Sequence, residues 1–145
     1  MASSWYANGI DKVTKGTINL NDSTLRAILL NSTGNANLQF DTHDFMNDIV
    51  AGWRANAEFP TVKSGFAIVG GSDHVNFGSG SQVINFSTVA TGQLAKGIII
   101  YHSGAGAAEA ACELLVYNSF TSAVSTDGTD VDVTLNASGW GRASY

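Results

Sequence analysis

Apolar and polar residues alternate with a period of two in several parts of the chain, the pattern of a strand with one buried face. In "SQVINFSTV", Ile84 and Phe86 fall on one side of such a strand, and the residues between and after them are polar. The segment "VDVTLNA" (131–137) places valine, leucine and alanine on one side and aspartate, threonine and asparagine on the other. Both segments are predicted to be half-exposed β-strands.

Three further segments are apolar at almost every position. The run "LRAILL" (25–30) predicts a strand that is covered on both faces. The runs "KGIIIYH" and "CELLVYNSF" are rich in β-branched and aromatic residues and are also predicted to be strands. The small, flexible "GAGAAEA" between them is long enough to join antiparallel neighbours. A helix across 105–117 is the alternative, because Ala, Glu and Leu favour helices.

Two weaker patterns predict shorter strands. Ile18 and Leu20 alternate with polar residues in "GTINL", and the turn-forming "NDST" follows. The segment "EFPTVKSGFAIVGG" has room for two short strands, and Pro60 restricts the first of them to a sheet edge or a loop.

Together these patterns predict an all-β fold, an antiparallel β-sandwich, since 16 glycines and many Ser, Asn and Thr residues separate the short apolar runs. One short helix is predicted near 43–51. The length of 145 residues suits one domain, which we assign to 16–145, with residues 1–15 as an N-terminal arm. Trp5 and Tyr6 in that arm are costly to leave in water, so we expect the arm to rest against a surface, for example that of a neighbouring subunit.

Charge and composition exclude several classes of function. A net charge of −5 with seven scattered basic residues argues against binding to nucleic acid. The sequence has no 18-residue apolar stretch to span a membrane, and its first residues lack the pattern of a secretory signal, so synthesis and folding in a cytoplasm are expected. Cys112 is the single cysteine and suits a small buried apolar position. Charged residues make up only 13%, which leads us to expect that a partner covers part of the surface.

The segment "DTHDFMNDI" (41–49) concentrates three carboxylates and a histidine in nine positions. His43, Asp44 and Asp48 could present one imidazole and two carboxylates to a metal ion. The spacing, however, is not that of an EF-hand loop, and one histidine is an insufficient set of soft ligands.

A capping role needs fewer assumptions for the same segment. Asp41 or Thr42 would cap a short helix, and Asp44 would lie near the positive end of its dipole. Phe45 and Ile49 would bury one face of this helix. We therefore predict that these charges determine the local fold and that neither a metal nor a cofactor is bound.

No catalytic pattern emerges from the remaining polar residues. Ser, His and Asp occur together in "GSDH" and Ser and His in "YHSG", but neither carries the GxSxG elbow of a hydrolase. The glycine-rich "GGSDHVNFGSGS" lacks both GxGxxG and GK[ST], and so predicts no phosphate-binding loop. A nucleophile, a base and an oxyanion donor cannot be named as one set, and the sequence predicts a protein that is not an enzyme.

Large aromatic residues are the best candidates for contacts, since Trp and Tyr are enriched at the centres of interfaces. An alternative is a sugar-stacking platform, the resource of a carbohydrate-binding β-sandwich. The residues we predict to contact a partner or another subunit are Trp5, Tyr6, Trp53, Trp140 and Tyr145.

A resemblance covers nearly the whole chain, about residues 16–143. Read in order, "GTINLNDSTLRAILLN", "DTHDFMNDI", "VINFSTV", "AKGIIIYH", "CELLVYNSF" and "VDVTLNASGWGR" are similar to segments of a family of tailed-bacteriophage virion structural proteins. The matching positions are Gly16, Ile18 to Leu20, Leu25 to Leu30, His43 to Phe45, Ile98 to Tyr101, Leu115 to Tyr117, and Leu135 to Gly139.

The resemblance implies a β-sandwich or jelly roll that decorates the capsid shell as a cement protein, with no catalytic residues and a structural role for "HDF". The expected partners are the major capsid protein and further copies of the chain. The expected location is the capsid surface of the virion, after synthesis in the cytoplasm of the bacterial host. The alternatives are a tail, neck or fibre component of the virion, and a host-glycan-binding module.

Overall fold

A computed structural model provides the structure of the chain. It describes residues 2–21, 24–56, 59–62, 66–68, 74–78, 81–87, 89–104, 108–136 and 140–144. The strands within these ranges are β1 (Ala2–Trp5), β2 (Leu25–Asn31), β3 (Thr61–Val62), β4 (Phe66–Ile68), β5 (His74–Phe77), β6 (Gln82–Phe86), β7 (Leu94–His102), β8 (Leu114–Ser125), β9 (Val131–Leu135) and β10 (Gly141–Ser144). The helices are α1 (Ala7–Thr14), α2 (Ser32–Ala36) and the 3-10 helices Met46–Asp48, Ala51–Trp53 and Glu109–Ala111.

The predicted all-β fold, an antiparallel β-sandwich, is confirmed. A five-stranded sheet has the order β1-β8-β7-β2-β3, a three-stranded sheet has the order β10-β5-β4, and β6 pairs with β9. Every one of these strand pairs is antiparallel. The finer expectation of a jelly roll stays a prediction.

Successive side chains of the central strands point to opposite sides of the five-stranded sheet. Both faces are buried, since a separate apolar core covers each of them. The inner core lies between this sheet and the two smaller ones, and includes Leu29, Ile98, Phe86, Val133 and Trp140. The outer core lies on the other face, and includes Ile28, Ile99, Tyr101, Tyr117, Met46 and Ile49. The prediction that 25–30 is covered on both faces is therefore confirmed, with five of these six residues fully buried.

Most of the predicted strands are present where the pattern put them. The pair β7 and β8 is antiparallel, and the helix considered for 105–117 is limited to Glu109–Ala111 within the described residues. Strand β3 lies at the sheet edge, as Pro60 required. The prediction for "GTINL" was wrong, since Ile18 and Leu20 are buried but belong to no strand.

The first 15 residues are not a separate arm. Strand β1 pairs with β8, from Ala2 opposite Ser119 to Trp5 opposite Val116, and α1 packs against β8. Trp5 and Tyr6 explain the docking: Trp5 packs against the inner core and Tyr6 lies in the outer core. The surface that we expected to receive these aromatics is the chain's own sheet.

The predicted helix near 43–51 is also corrected. The segment contains the 3-10 helix Met46–Asp48, and a second one, Ala51–Trp53, follows. The longest α-helix of the described residues is α1, in the segment predicted to be an arm. One turn of 3-10 helix places Met46 and Ile49, which are three positions apart, on the same side. Both side chains are buried in the outer core.

Candidate functional site

The aromatic residues predicted to make contacts lie in different environments. Tyr6 and Trp140 are 0% and 1% exposed, so both are core residues and neither can contact a partner in this conformation. Trp5 is half-buried, and its ring lies 4.9 Å from that of Phe77 and 6.0 Å from that of Trp140. Tyr145 lies outside the described residues. The prediction is thus corrected for Tyr6 and Trp140, whose size made them candidates and whose burial assigns them to packing.

Trp53 is the predicted contact residue that lies beside an exposed apolar side chain. It is half-buried, its ring lies 5.8 Å from that of His43, and the nearby Val50 is 48% exposed. We call Val50, His43 and Trp53 the Trp53 surface. A sugar-stacking platform that includes Trp140 is excluded, since that ring has no exposed face.

The charged segment 41–49 is organised by one carboxylate. Oδ2 of Asp48 accepts hydrogen bonds from the backbone N–H groups of Asp44 and Phe45, each at 2.9 Å. Nδ1 of His43 accepts from the backbone N–H of Gln39 at 3.3 Å. No group of three or more potential metal ligands occurs among the residues that the structure describes. The predicted fold-determining role fits this geometry, with Asp48 as the capping residue in place of Asp41 or Thr42.

Three side chains that can carry charge join α1 to the start of β8. Nδ1 of His102 lies 2.9 Å from Oε2 of Glu113, and Nζ of Lys12 lies 3.6 Å from Oε1 of the same carboxylate. Burial acts to raise the pKa of the Glu113 carboxyl, but the hydrogen bond with His102, together with smaller contributions from backbone hydrogen bonding and from the charge of Lys12, holds the pKa below its ordinary value. This arrangement holds a carboxylate in its charged form and fastens α1 to the sheet.

An ion pair links the 3-10 helices and turns that cover the outer core, which we call the irregular cover. Arg54 donates from two guanidinium nitrogens to both oxygens of Glu109, at 2.7 and 2.9 Å. It also donates to the backbone carbonyls of Ile49 and Met46. The hydrogen bond from Arg54 lowers the pKa of the Glu109 carboxyl. Such a bidentate pair fixes geometry as well as charge.

A groove of about 410 Å³ lies between the end of β8 and β9. Within the described residues, the pairing of β1 with β8 runs from Trp5 to Ala2, which lies opposite Ser119, and residues 120–123 have no partner on β7, because the register shifts there. Apolar and acidic side chains both line this lateral groove: Phe120, Val124, Val131, Val133, Asp127, Asp130 and Asp132.

The lateral groove combines exposed apolar side chains with negative charge. Val124 is 42% exposed, and Leu94, beside it in the β7–β8 pairing, is 48% exposed. Hydrogen bonds from Thr129 lower the pKa of the fully exposed Asp127. Among the described residues no arginine or lysine lines the groove. This surface was not predicted from the sequence, although "NSFTSAVS" carries a signal for it, since Phe120 and Val124 interrupt an otherwise polar strand end.

Comparison with known proteins found no match to a family model, to a curated protein or to a solved structure. Within the described ranges, no helix is long and apolar enough to cross a membrane.

Proposed function

We propose that this protein is a capsid decoration protein of a tailed bacteriophage, which binds the outer surface of the capsid shell and stabilises it. The resemblance of segments between residues 16 and 143 to virion structural proteins supports this function. A β-sandwich with two buried faces is a rigid unit that can be repeated over a shell. Its effect is thermodynamic, because a partner that binds only the assembled state stabilises that state.

The structural observation behind a docking role is the lateral groove. A strand edge without a partner can accept an extended segment of another protein, with backbone hydrogen bonds for affinity and side-chain pockets for specificity. Phe120 and Val124 offer apolar contacts, and Asp127 and Asp132 offer negative charge. The segment that fits is therefore an extended stretch of the major capsid protein with apolar side chains and with Lys or Arg at its margins. Copies of the chain are expected to associate side by side on the shell.

Quantitative mass spectrometry of purified virions tests the function itself. A decoration protein is expected in a copy number comparable to that of the major capsid protein, and gold-labelled antibody should mark the head. A few copies per particle, or label at the tail, would refute capsid decoration in favour of a tail, neck or fibre component.

A scan of three exposed valines tests the docking surface. Val124→Lys in the lateral groove should weaken binding to capsids that lack the protein by at least about tenfold, because it places a positive charge where we propose the partner's cation lies. Val83→Lys is the matched control, since Val83 is 57% exposed on β6 and does not line the groove. If Val50→Lys reduces capsid binding and Val124→Lys does not, the Trp53 surface contacts the capsid, and the proposal that the lateral groove does so is refuted.

A further inference from the structure

A second cavity, of about 330 Å³, lies beside the outer core where β2 begins and β7 ends. Arg26 and Tyr101, which are cross-strand neighbours, both line it. Met46 and Phe59 contribute apolar surface from the irregular cover. Ser103, which is half-buried, lines the cavity as well. Its size is at the lower end of the range of small-molecule sites, about 300–1,000 Å³.

The guanidinium of Arg26 is incompletely paired in this cavity. Nη1 donates to the backbone carbonyl of Phe59 at 3.3 Å, and Nε is buried without a hydrogen-bond partner. No carboxylate within the described part of the chain forms an ion pair with Arg26. Nε has no accessible surface, so a ligand in the cavity would meet the Nη atoms of the guanidinium, of which Nη1 alone has a hydrogen-bond partner among the described residues.

Two hydroxyl groups add to the donors around the same space. Within the described residues, neither the Tyr101 nor the Ser103 hydroxyl donates a hydrogen bond to the protein. Burial raises the pKa of Tyr101 to about 12, so its phenol keeps its proton at neutral pH. Glu109, the acidic residue that lines the cavity, is already paired with Arg54. One positive charge and two hydroxyl donors therefore remain.

We propose that this cavity binds a small organic carboxylate with an apolar body. The carboxylate accepts hydrogen bonds from the guanidinium of Arg26 and from the hydroxyls of Tyr101 and Ser103. The apolar body packs against Met46 and Phe59. Arginine suits this role because its planar donors match the geometry of a carboxylate. The site is separate from the lateral groove and is independent of the proposed binding to capsids.

Nuclear magnetic resonance titration of the full chain with benzoate tests the proposal. Saturable shifts are expected for the signals of Arg26, Tyr101 and Ser103, and the uncharged benzamide should bind at least about tenfold more weakly, because it lacks the charge that Arg26 recognises. Shifts that do not saturate, or equal binding of the two compounds, would overturn the proposal.

Variants of Arg26 and Lys15 separate specific recognition of benzoate by Arg26 from a general effect of the protein's net charge. Arg26→Met should weaken benzoate binding at least about tenfold, and Arg26→Lys should retain part of it. Lys15→Met removes one positive charge from the surface end of α1 and should leave binding unchanged. Ser103→Leu fills the cavity without removing the guanidinium, and provides a second test if Arg26→Met does not fold. Benzoate affinity equal to wild type in a folded Arg26→Met or Ser103→Leu variant would contradict the site.

Discussion

The two cores of this protein are built on opposite faces of one sheet, yet they are closed in different ways. Strands of the two smaller sheets cover most of the inner core, to which the non-strand residues Ile18, Leu20 and Val89 also belong. Its aromatic residues are Phe77, Phe86 and Trp140. Turns and 3-10 helices cover the outer core, which contains three tyrosines and Cys112. The irregular cover is fastened by polar groups, namely the Arg54–Glu109 pair and the Asp48 cap. Strands satisfy their backbone groups in the ladders of a sheet, whereas irregular segments need other hydrogen bonds to hold their position.

Hydroxyl groups of the outer core differ in how they are paired. The Tyr6 hydroxyl in the outer core is buried without a partner, and burial raises its pKa above the ordinary value. The Tyr117 hydroxyl, in contrast, donates to Oδ1 of Asn35 on α2. The proposed carboxylate cavity lies at the end of this same face. The looser cover therefore provides both the space and the unpaired donors that a ligand requires.

Truncation of neighbouring residues on β7 should show the largest difference between the cores. Ile98 belongs to the inner core and Ile99 to the outer core, and both are fully buried. Ile98→Ala should lower the free energy of unfolding by about 4 kcal/mol, and Ile99→Ala by about 2–3 kcal/mol, since the irregular cover can collapse further into the space left behind. Urea denaturation of both variants measures this. A larger loss at Ile99 would contradict the comparison.

Close packing of α1 predicts the next largest effect. A Cβ at Gly9 would lie 2.2 Å from the carbonyl oxygen of Leu114, whereas one at Gly52 would have no neighbour within 4 Å. Gly9→Ala should therefore lower the free energy of unfolding by about 1–3 kcal/mol, although alanine favours helices. Gly52→Ala is the control and should change it by less than about 1 kcal/mol. An unchanged stability for Gly9→Ala would mean that α1 is not docked on β8.

Sequence patterns predicted the strands well because burial on one or both faces leaves a direct record in the order of residues. Val131 to Leu135 and Ile98 to Tyr101 are examples, and both segments are strands. The helix α1 was missed because its sequence, "ANGIDKVT", has few apolar residues and contains Gly9, whose role is close contact with β8. A glycine needed for a tertiary contact cannot be told from a loop glycine without the partner strand.

The candidate sites were less predictable than the fold. Large aromatic residues were predicted to contact a partner because of their size, but the core of the chain itself buries Trp140 and Tyr6. The lateral groove depends on where β1 stops along β8, and the carboxylate cavity depends on Arg26 and Tyr101 being opposite each other. Both are consequences of strand register, which pairs residues far apart in the sequence.

Removal of the Asp48 cap should have a moderate effect on the outer core. Asp48→Asn weakens the acceptor for two backbone N–H groups and should lower the free energy of unfolding by about 1–2 kcal/mol. Asp44→Asn changes an acid whose side chain is not the cap, and should cost less than about 0.5 kcal/mol. Addition of Mg²⁺ or Mn²⁺ should not raise the melting temperature of the wild type or of either variant. Stabilisation by metal that is lost in both variants would support a metal site instead.

The smallest change in stability is expected for the contacts of Glu113 with His102 and Lys12. The pKa of Glu113 in the folded protein lies below the ordinary value of 4.5, so its contribution to stability is complete above that value and is lost as the pH falls through the folded pKa. Glu113→Gln should therefore be less stable than wild type at neutral pH, and the difference should narrow in acid. Urea denaturation as a function of pH measures it. His102→Gln removes the hydrogen-bond partner, and in that background Glu113→Gln should have a smaller effect. A difference that does not depend on pH, or one that His102→Gln leaves unaltered, would mean that His102 does not hold the carboxylate of Glu113 in its charged form.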